Sequence, residues 1–164
     1  MPVFEKRTQV PASCKQVFDW HAHPDAFDRL APPWAGVHVL KRHRSLADGE
    51  ILVLRLDMPL PILKRLPVGP LWIAEIFDVE PGVRFCDRQI AGPFANWEHH
   101  HLFEPVDANP EACWMVDRVT YQLPLGSIGQ FFGGWLIRWQ LQCVFDYRHK
   151  ILMRWMTATK AGAQ

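Results

Sequence analysis

The sequence has no strong excess of charge and no long hydrophobic run. Its 18 basic and 17 acidic residues leave a formal net charge of +1, so no basic field is available to recruit nucleic acid. The longest apolar stretch, residues 128–145, is interrupted by Gln130, Arg138, Gln140 and Gln142. It is therefore too polar for a membrane span of about 20 residues. These absences argue against nucleic acid as a partner and against a transmembrane segment.

Cysteine is sparse and widely scattered. The four cysteines, Cys14, Cys86, Cys113 and Cys143, include no Cys-x-x-Cys spacing, which excludes a zinc ribbon or a thioredoxin-type motif. The N-terminus also lacks the basic and then apolar segment that is typical of a signal peptide. We therefore expect reduced thiols and a cytoplasmic location.

Aromatic side chains are abundant by contrast. The chain contains eight Trp and ten Phe but only two Tyr, so its aromatic content is unusually apolar. With 49% hydrophobic and 21% charged residues, the composition is typical of a globular protein, and the length suits a single domain spanning residues 1–164. This many rings predicts a large core or a pocket lined by aromatic residues.

The most informative stretch is residues 92–103, which opens with a Gly-Pro turn signal and then alternates. Trp97, His99, His101 and Phe103 share one parity, whereas the other parity is mostly polar at its centre. Because successive side chains of a strand point to opposite faces, one face of this strand is aromatic and carries two imidazoles. An apolar face with two histidines in it suggests the wall of a cavity.

The rest of the chain predicts an α+β protein in the order strand, two short helices, six strands and a long helix. Short hairpin connections imply antiparallel pairing, Ser13 and Gln16 have the spacing of a helix-capping box, and Ser127 is placed to cap the long helix. Strands are predicted over residues 3–9, 37–44, 50–58, 71–80, 83–90, 92–103 and 113–123, and helices over 13–21, 25–30 and 127–158.

Three motifs and this element order resemble a known superfamily. The motifs are FxDxQxxGPFxxWxHxHxF at residues 85–103, DxVxYxLPxG at 117–126 and FxYR at 145–148. Together they resemble the START-like, Bet v 1-like (SRPBCC, polyketide cyclase-like) superfamily, and within it a bacterial ligand-binding subgroup. The resemblance implies a helix-grip fold, in which a curved antiparallel sheet of about seven strands wraps around the long C-terminal helix. It also implies an apolar cavity between sheet and helix.

The same parity, extended to the neighbouring strands, brings Asp87 and Asp117 to the face that carries His99 and His101. Buried Asp and His side chains are expected to pair with each other, because leaving them unpaired is costly. His21 and His23 are instead expected to be helix-terminal or surface groups. The residues expected to line a ligand site are Phe85, Asp87, Gln89, Trp97, His99, His101, Phe103, Asp117, Tyr121, Trp135 and Trp139.

Three interpretations of this polar group stay open. It can serve only to fix the sheet, it can orient the polar end of an apolar ligand, or His99 and His101 can bind a metal together with Asp87 or Asp117. The typical members of the resembled superfamily need no metal, and the sequence calls for no cofactor. Catalysis would use the second arrangement, with His99 or His101 poised by Asp87 or Asp117 for proton transfer.

Three functions follow from these patterns. The first is binding of an apolar small molecule, such as a lipid, a polyketide or an aromatic metabolite, in the cavity between sheet and C-terminal helix. The second is a polyketide cyclase- or dehydratase-like enzyme that uses the four His and Asp residues; the absence of a readable nucleophile-and-base motif favours binding over catalysis. The third is an interaction or homodimerisation module that uses the apolar, proline-rich loop 59–70.

Overall fold

The computed structural model describes residues 1–57 and 69–162, with side chains through residue 160. These residues form an α+β fold, in which a seven-stranded antiparallel sheet is accompanied by two early short helices and a long C-terminal helix. The predicted fold class and element order are confirmed. The strands are β1 (Val3–Val10), β2 (Val37–Lys41), β3 (Ile51–Leu56), β4 (Leu71–Glu80), β5 (Arg84–Ala91), β6 (Asn96–Val106) and β7 (Asn109–Gln122), and the helices are α1 (Cys14–His21), α2 (Ala26–Leu30) and α3 (Gly126–Gly162).

The sheet has the strand order β1-β7-β6-β5-β4-β3-β2, so the first strand lies beside the last. The other neighbours are consecutive in sequence, as hairpin connections require. The register places Asp87 of β5 opposite His99 of β6, and His101 of β6 opposite Asp117 of β7. Facing pairs in a sheet project to the same side, so the pairing itself gathers these four side chains.

The short helix α1 begins at the predicted capping box. The Ser13 hydroxyl accepts a hydrogen bond from the backbone N–H of Gln16 at 3.3 Å, and the Gln16 side-chain oxygen accepts one from the backbone N–H of Ser13 at 2.9 Å. These bonds satisfy two N–H groups that the start of a helix would otherwise leave without partners. The cap fixes the entry of α1, whose last residue, His21, is buried.

The long helix begins one residue earlier than its predicted cap. Gly126 opens α3, so the prediction that Ser127 caps this helix is wrong, and Ser127 lies inside it. Leu125 and Gly126 both have left-handed backbone, with φ of 66° and 58°. Glycine adopts this conformation at little cost, so left-handed backbone after Pro124 leads the chain into the helix.

The two halves of α3 differ in what their apolar side chains contact. From the middle of the helix onwards, Leu141, Phe145, Leu152 and Met156 are buried, and the helix packs chiefly on β1, β7 and α2. Their spacing by four and seven residues places them on one helix face. The N-terminal half instead exposes large apolar side chains, at Ile128, Phe131, Phe132, Trp135, Leu136 and Trp139.

Two apolar clusters fill the space between the sheet and the helices. One joins α1 to the sheet through Phe18, Phe85 and Phe103, with Leu152 and Met156 of α3. The other joins β1, β6 and β7 to the middle of α3 and is formed by Phe4, Trp97, Val119, Tyr121, Leu123, Leu141 and Phe145. Two buried histidines contact these clusters, since His101 stacks on Phe85 of the first and His99 lies beside Phe145 of the second.

The outer face of the sheet carries charged pairs, as the parity predicts. Arg88 pairs with Glu75 at 2.7 Å, and Arg118 pairs with Glu5 at 2.8 Å. Within the described ranges, no helix is both long and apolar enough to cross a membrane. The loop predicted over residues 59–70 lies almost wholly outside the described residues, so its proposed role in dimerisation stays a prediction.

Candidate functional site

A group of histidines and aspartates, most of them buried, lies where the inner face of β5, β6 and β7 meets α3. We call Asp87, His99, His101, Asp117 and His149 the His/Asp cluster. Asp117 is 1% exposed, and His99, His101 and His149 are each 3% exposed. Burying so many ionisable groups is costly unless they pair, and each of these five does contact another member.

Asp117 is the centre of the His/Asp cluster. Its Oδ1 accepts a hydrogen bond from His99 Nε2 at 2.8 Å, and its Oδ2 accepts one from His149 Nε2 at 2.6 Å. His101 Nδ1 also lies 2.7 Å from Oδ1, without the alignment of a hydrogen bond. One carboxylate thus holds three imidazoles that come from β6 and α3.

Asp87 contacts the same two β6 histidines from the opposite side. Its Oδ2 lies 3.1 Å from His99 Nδ1 and 3.6 Å from His101 Nε2. Unlike the rest of the cluster, the Asp87 side chain keeps 24% of its surface exposed. Asp87 is therefore the member that a molecule arriving from solvent meets first.

The charges of the cluster stabilise each other. Burial raises the pKa of Asp117, but the charge of His101 and hydrogen bonds from the histidines outweigh it and hold the pKa well below its usual range. Burial likewise opposes ionisation of Asp87, yet the charge of His99 lowers its pKa. Burial lowers the pKa of His99, but the two carboxylates raise it above the ordinary value. The two carboxylates that flank His99 therefore favour its protonated form.

His149 was not found by sequence reasoning. It lies on α3 four residues after Phe145, and its Nδ1 lies 2.7 Å from the hydroxyl of Thr8 on β1. The sequence does contain a pattern that indicates burial of His149, because residues 141, 145, 149 and 152 share one face of a helix. A histidine in the middle of an otherwise apolar stripe indicates a buried polar partner on the facing sheet.

His21 is a second histidine whose environment differs from expectation. It lies in the last turn of α1, as predicted, but it is buried rather than on the surface, whereas His23 is exposed. Its Nδ1 lies 2.8 Å from the carbonyl of Val17, to which it donates, and its Nε2 has no hydrogen-bond partner in the described part of the chain. Burial, followed by the charge of His101, lowers the pKa of His21 to about 3.

Four aromatic side chains extend the inner face beyond His99. We call Trp72, Phe94, Trp97 and Tyr121 the aromatic wall. Trp72 and Trp97 pack edge to face with ring centroids 4.9 Å apart, and Phe94 lies 4.9 Å from Trp97. The indole N–H groups of both tryptophans are buried and lack a hydrogen-bond partner among residues 1–57 and 69–162.

The structure brings together most of the predicted site residues. Phe85 stacks on His101 with ring centroids 4.0 Å apart, and Phe103 packs beside Phe85 in the core. Gln89 donates from its side chain to the carbonyl of Phe94 at 2.7 Å, so it supports the turn into β6.

Trp135 and Trp139 lie away from this group. They are 71% and 60% exposed on the N-terminal half of α3, and the structure does not join them to the aromatic wall. The helix face that packs on the sheet runs through Leu141 and Phe145, so a ligand contact of Trp135 and Trp139 stays a prediction.

Two surface clefts lie outside the predicted site. One of about 240 Å³ is bordered by the end of β1 and the start of β7, and one of about 440 Å³ lies between α2 and β2. Neither is lined by a member of the His/Asp cluster or of the aromatic wall. The cavity expected between sheet and α3 therefore stays a prediction.

Comparisons with known proteins identify a family and a fold. A family described as Domain of unknown function (DUF8410) matches residues 8–156. No curated protein matches the sequence significantly. A Thermus thermophilus protein, TTHA0849, superposes with a TM-score of 0.69 at 16% identity, over 96% of this chain and 99% of that one.

Two further solved structures carry informative descriptions. A START superfamily protein from Mycobacterium smegmatis has a TM-score of 0.63 at 14% identity, over 96% of this chain and 98% of that one. A point mutant of norcoclaurine synthase from Thalictrum flavum, in complex with a transition state analogue, has a TM-score of 0.68 at 13% identity, over 97% and 96% of the two chains. At these identities the likeness is one of fold alone, and it confirms the START-like, Bet v 1-like resemblance.

Proposed function

Because this chain belongs to the DUF8410 family and has the START-like, Bet v 1-like fold, we propose that it binds an apolar small molecule between the sheet and α3. The observation that carries the proposal is the aromatic wall, in which the N–H groups of Trp72 and Trp97 have no partner among the described residues. Buried donors without acceptors are rare in folded proteins. An acceptor oxygen on a bound molecule would satisfy them.

The chemistry of the wall indicates the kind of molecule. Four aromatic rings suit a flat apolar body, and the two indole groups can only donate. The His/Asp cluster follows directly, since Trp97 and His99 lie 6.4 Å apart between ring centroids. We therefore expect an aromatic or polyketide-like molecule, or a lipid, that carries a carbonyl or carboxylate oxygen.

The exposure pattern suggests where such a molecule would enter. The inner residues of β6 and β7 are buried beneath α3, whereas Trp72 on β4 and Asp87 on β5 are only partly buried. Since α3 packs chiefly on β1 and β7, the β4 and β5 side of the inner face is the more accessible one. Entry from that side would bring the ligand first to Trp72 and Asp87.

The proposal is tested by looking for the ligand and then by using a probe. Native mass spectrometry of protein purified under mild conditions should show a mass above that of the chain, which extraction with organic solvent removes. Isothermal titration with 2-naphthoate, a flat aromatic carboxylate, should then show saturable binding to the extracted protein. A protein of unchanged mass that also fails to bind naphthoate would contradict the proposal.

Removing either indole N–H should weaken naphthoate binding. Trp72→Phe and Trp97→Phe keep an aromatic ring but lose the donor, and one hydrogen bond contributes about 1 kcal/mol, so we expect a loss of roughly fivefold each. Trp114→Phe is the matched control, because Trp114 lies on the outer face beneath the guanidinium of Arg7. Equal weakening by all three variants would show that the probe binds elsewhere.

A second candidate, a cyclase- or dehydratase-like activity, is favoured by the contrast between the two β6 histidines. His99 is held between both carboxylates, whereas His101 Nε2 lies 3.6 Å from Asp87, beyond a normal hydrogen bond. His101 is therefore the better placed to exchange a proton with a bound molecule.

The enzyme alternative predicts that His101→Ala abolishes turnover of a poly-β-keto thioester while the circular dichroism spectrum stays unchanged. His38→Ala is the control, because His38 forms a similar 2.8 Å pair with Asp57 at the surface. If the wild-type protein leaves the thioester unchanged, or if His101→Ala retains full turnover, this alternative is wrong.

A further inference from the structure

Three side chains of the His/Asp cluster have the geometry of a metal-binding triad. Asp87 Oδ2, His99 Nδ1 and His101 Nε2 belong to a group whose ligand atoms all lie within 4.8 Å of one another. Metal–ligand bonds of about 2.0–2.1 Å in a tetrahedral site place neighbouring ligand atoms about 3.3 Å apart. The two contacts of Asp87 Oδ2 with the histidines, 3.1 Å and 3.6 Å, bracket that value.

The nitrogens on the far side of both rings lie beside one carboxylate, to which His99 is hydrogen-bonded and which His101 approaches without the alignment of a hydrogen bond. A histidine ligand generally directs its other ring nitrogen to a carboxylate or carbonyl, which fixes the ring and raises its basicity. His99 Nε2 donates to Asp117 Oδ1 at 2.8 Å, and His101 Nδ1 lies 2.7 Å from the same oxygen. Asp117 is itself held by His149 of α3 at 2.6 Å.

A further buried histidine lies beside the triad. His21 lies beside His101, with ring centroids 6.0 Å apart, and its Nδ1 donates to a backbone carbonyl. This bond fixes the tautomer that leaves a bare lone pair on Nε2, which is buried and has no partner among the described residues. If the cluster served only as an ion-pair network that stabilises the fold, it would not require a fourth imidazole with an unpaired lone pair next to the triad.

We propose that Asp87, His99 and His101 bind a divalent transition-metal ion of the Zn²⁺ or Fe²⁺ type, with Asp117 as the residue that orients both histidines. Two imidazoles and one carboxylate are a ligand set suited to these ions. Three protein ligands leave at least one coordination position for water or for a polar group of a ligand.

The metal proposal can be tested independently of the small-molecule proposal, because metal binding can be measured without any organic ligand. Protein treated with EDTA and then passed over a desalting column should take up one Zn²⁺ per chain, as counted by elemental analysis after gel filtration. Because the metal displaces protons from the ring nitrogens, a weakly buffered sample should release acid during the titration. With Co²⁺ as the probe, visible absorption bands should appear and saturate at the same stoichiometry.

Asp87→Asn is the decisive variant. Asp87 is the least buried member of the triad, so this substitution should leave the far-ultraviolet circular dichroism spectrum unchanged. We expect Zn²⁺ affinity to fall by more than about 100-fold, because loss of an outer partner alone usually costs about 10- to 100-fold. Asp57→Asn is the matched control, since Asp57 forms a surface pair with His38 at 2.8 Å, and it should bind Zn²⁺ as the wild type does.

Two results would overturn the proposal. One is a wild-type protein that binds neither Zn²⁺ nor Co²⁺ at one ion per chain. The other is Asp87→Asn binding Zn²⁺ as tightly as the wild type, which would place any bound ion on surface histidines. If the protein takes up metal but does not bind naphthoate, the metal proposal stands and the small-molecule proposal is wrong. If it binds naphthoate but takes up no metal, the metal proposal is wrong and the small-molecule proposal stands.

Discussion

Replacing Asp117 by alanine should lower the free energy of unfolding by about 3–5 kcal/mol, the usual cost of removing one partner from a buried ion pair. Asp117 is 1% exposed, and its loss leaves three imidazoles without their common acceptor in a low-dielectric interior. Urea unfolding followed by circular dichroism measures the change. The measurement should be made with EDTA present, so that any bound metal does not contribute.

The control for Asp117→Ala is Asp19→Ala. Asp19 pairs with Lys15 on the surface of α1, where both side chains are more than half exposed, and such pairs contribute about 0–1 kcal/mol. We expect the two variants to differ by at least about 2 kcal/mol. A small loss of stability in both variants would mean that water reaches the cluster, which would contradict the burial of Asp117.

Replacing Phe145 by alanine should cost about 3–5 kcal/mol, the range for truncating a buried aromatic residue. Phe145 is 1% exposed, packs on Phe4 with ring centroids 5.3 Å apart and covers His99 at 5.1 Å. Its removal opens a cavity directly above the His/Asp cluster. Thermal and urea unfolding both measure the loss.

Phe131→Ala is the matched control in the same helix. Phe131 is 80% exposed, and surface substitutions usually change stability by less than about 0.5 kcal/mol. Comparable losses at 131 and 145 would contradict the division of α3 into an exposed N-terminal half and a packed C-terminal half. A loss confined to Phe145 supports it.

The parts of this fold that were predictable are those with strong local signals. β4 has the predicted bounds, 71–80, and β6 alternates in burial as the sequence pattern indicates, with Trp97, His99 and His101 inward. The period of two is fixed by strand geometry, so parity gave the four His and Asp residues of β5, β6 and β7. The capping box at Ser13 is also local, and it too was correct.

What escaped prediction depends on how α3 lies over the sheet. The spacing along α3 indicates that His149 is buried, but it does not indicate that α3 packs on β1 and β7, which is what brings His149 to Asp117. The same uncertainty applies to Trp135 and Trp139, which are predicted to line a ligand site and are exposed in the structure. The start of α3 differs from the prediction for another reason, since the helix begins at Gly126, after left-handed backbone at Leu125, and Ser127 lies inside it.

The adjacency of the first and last strands has a consequence for biosynthesis. β1 can pair in the sheet only after β7 has been synthesised. The contact between Thr8 and His149 likewise joins positions 141 residues apart. Contacts so distant along the chain slow folding. In a chain terminated before α3, Asp117 would lack the hydrogen bond from His149 and the inner face of the sheet would lack the helix that covers it. Cellular proteases should therefore degrade such truncated products rapidly.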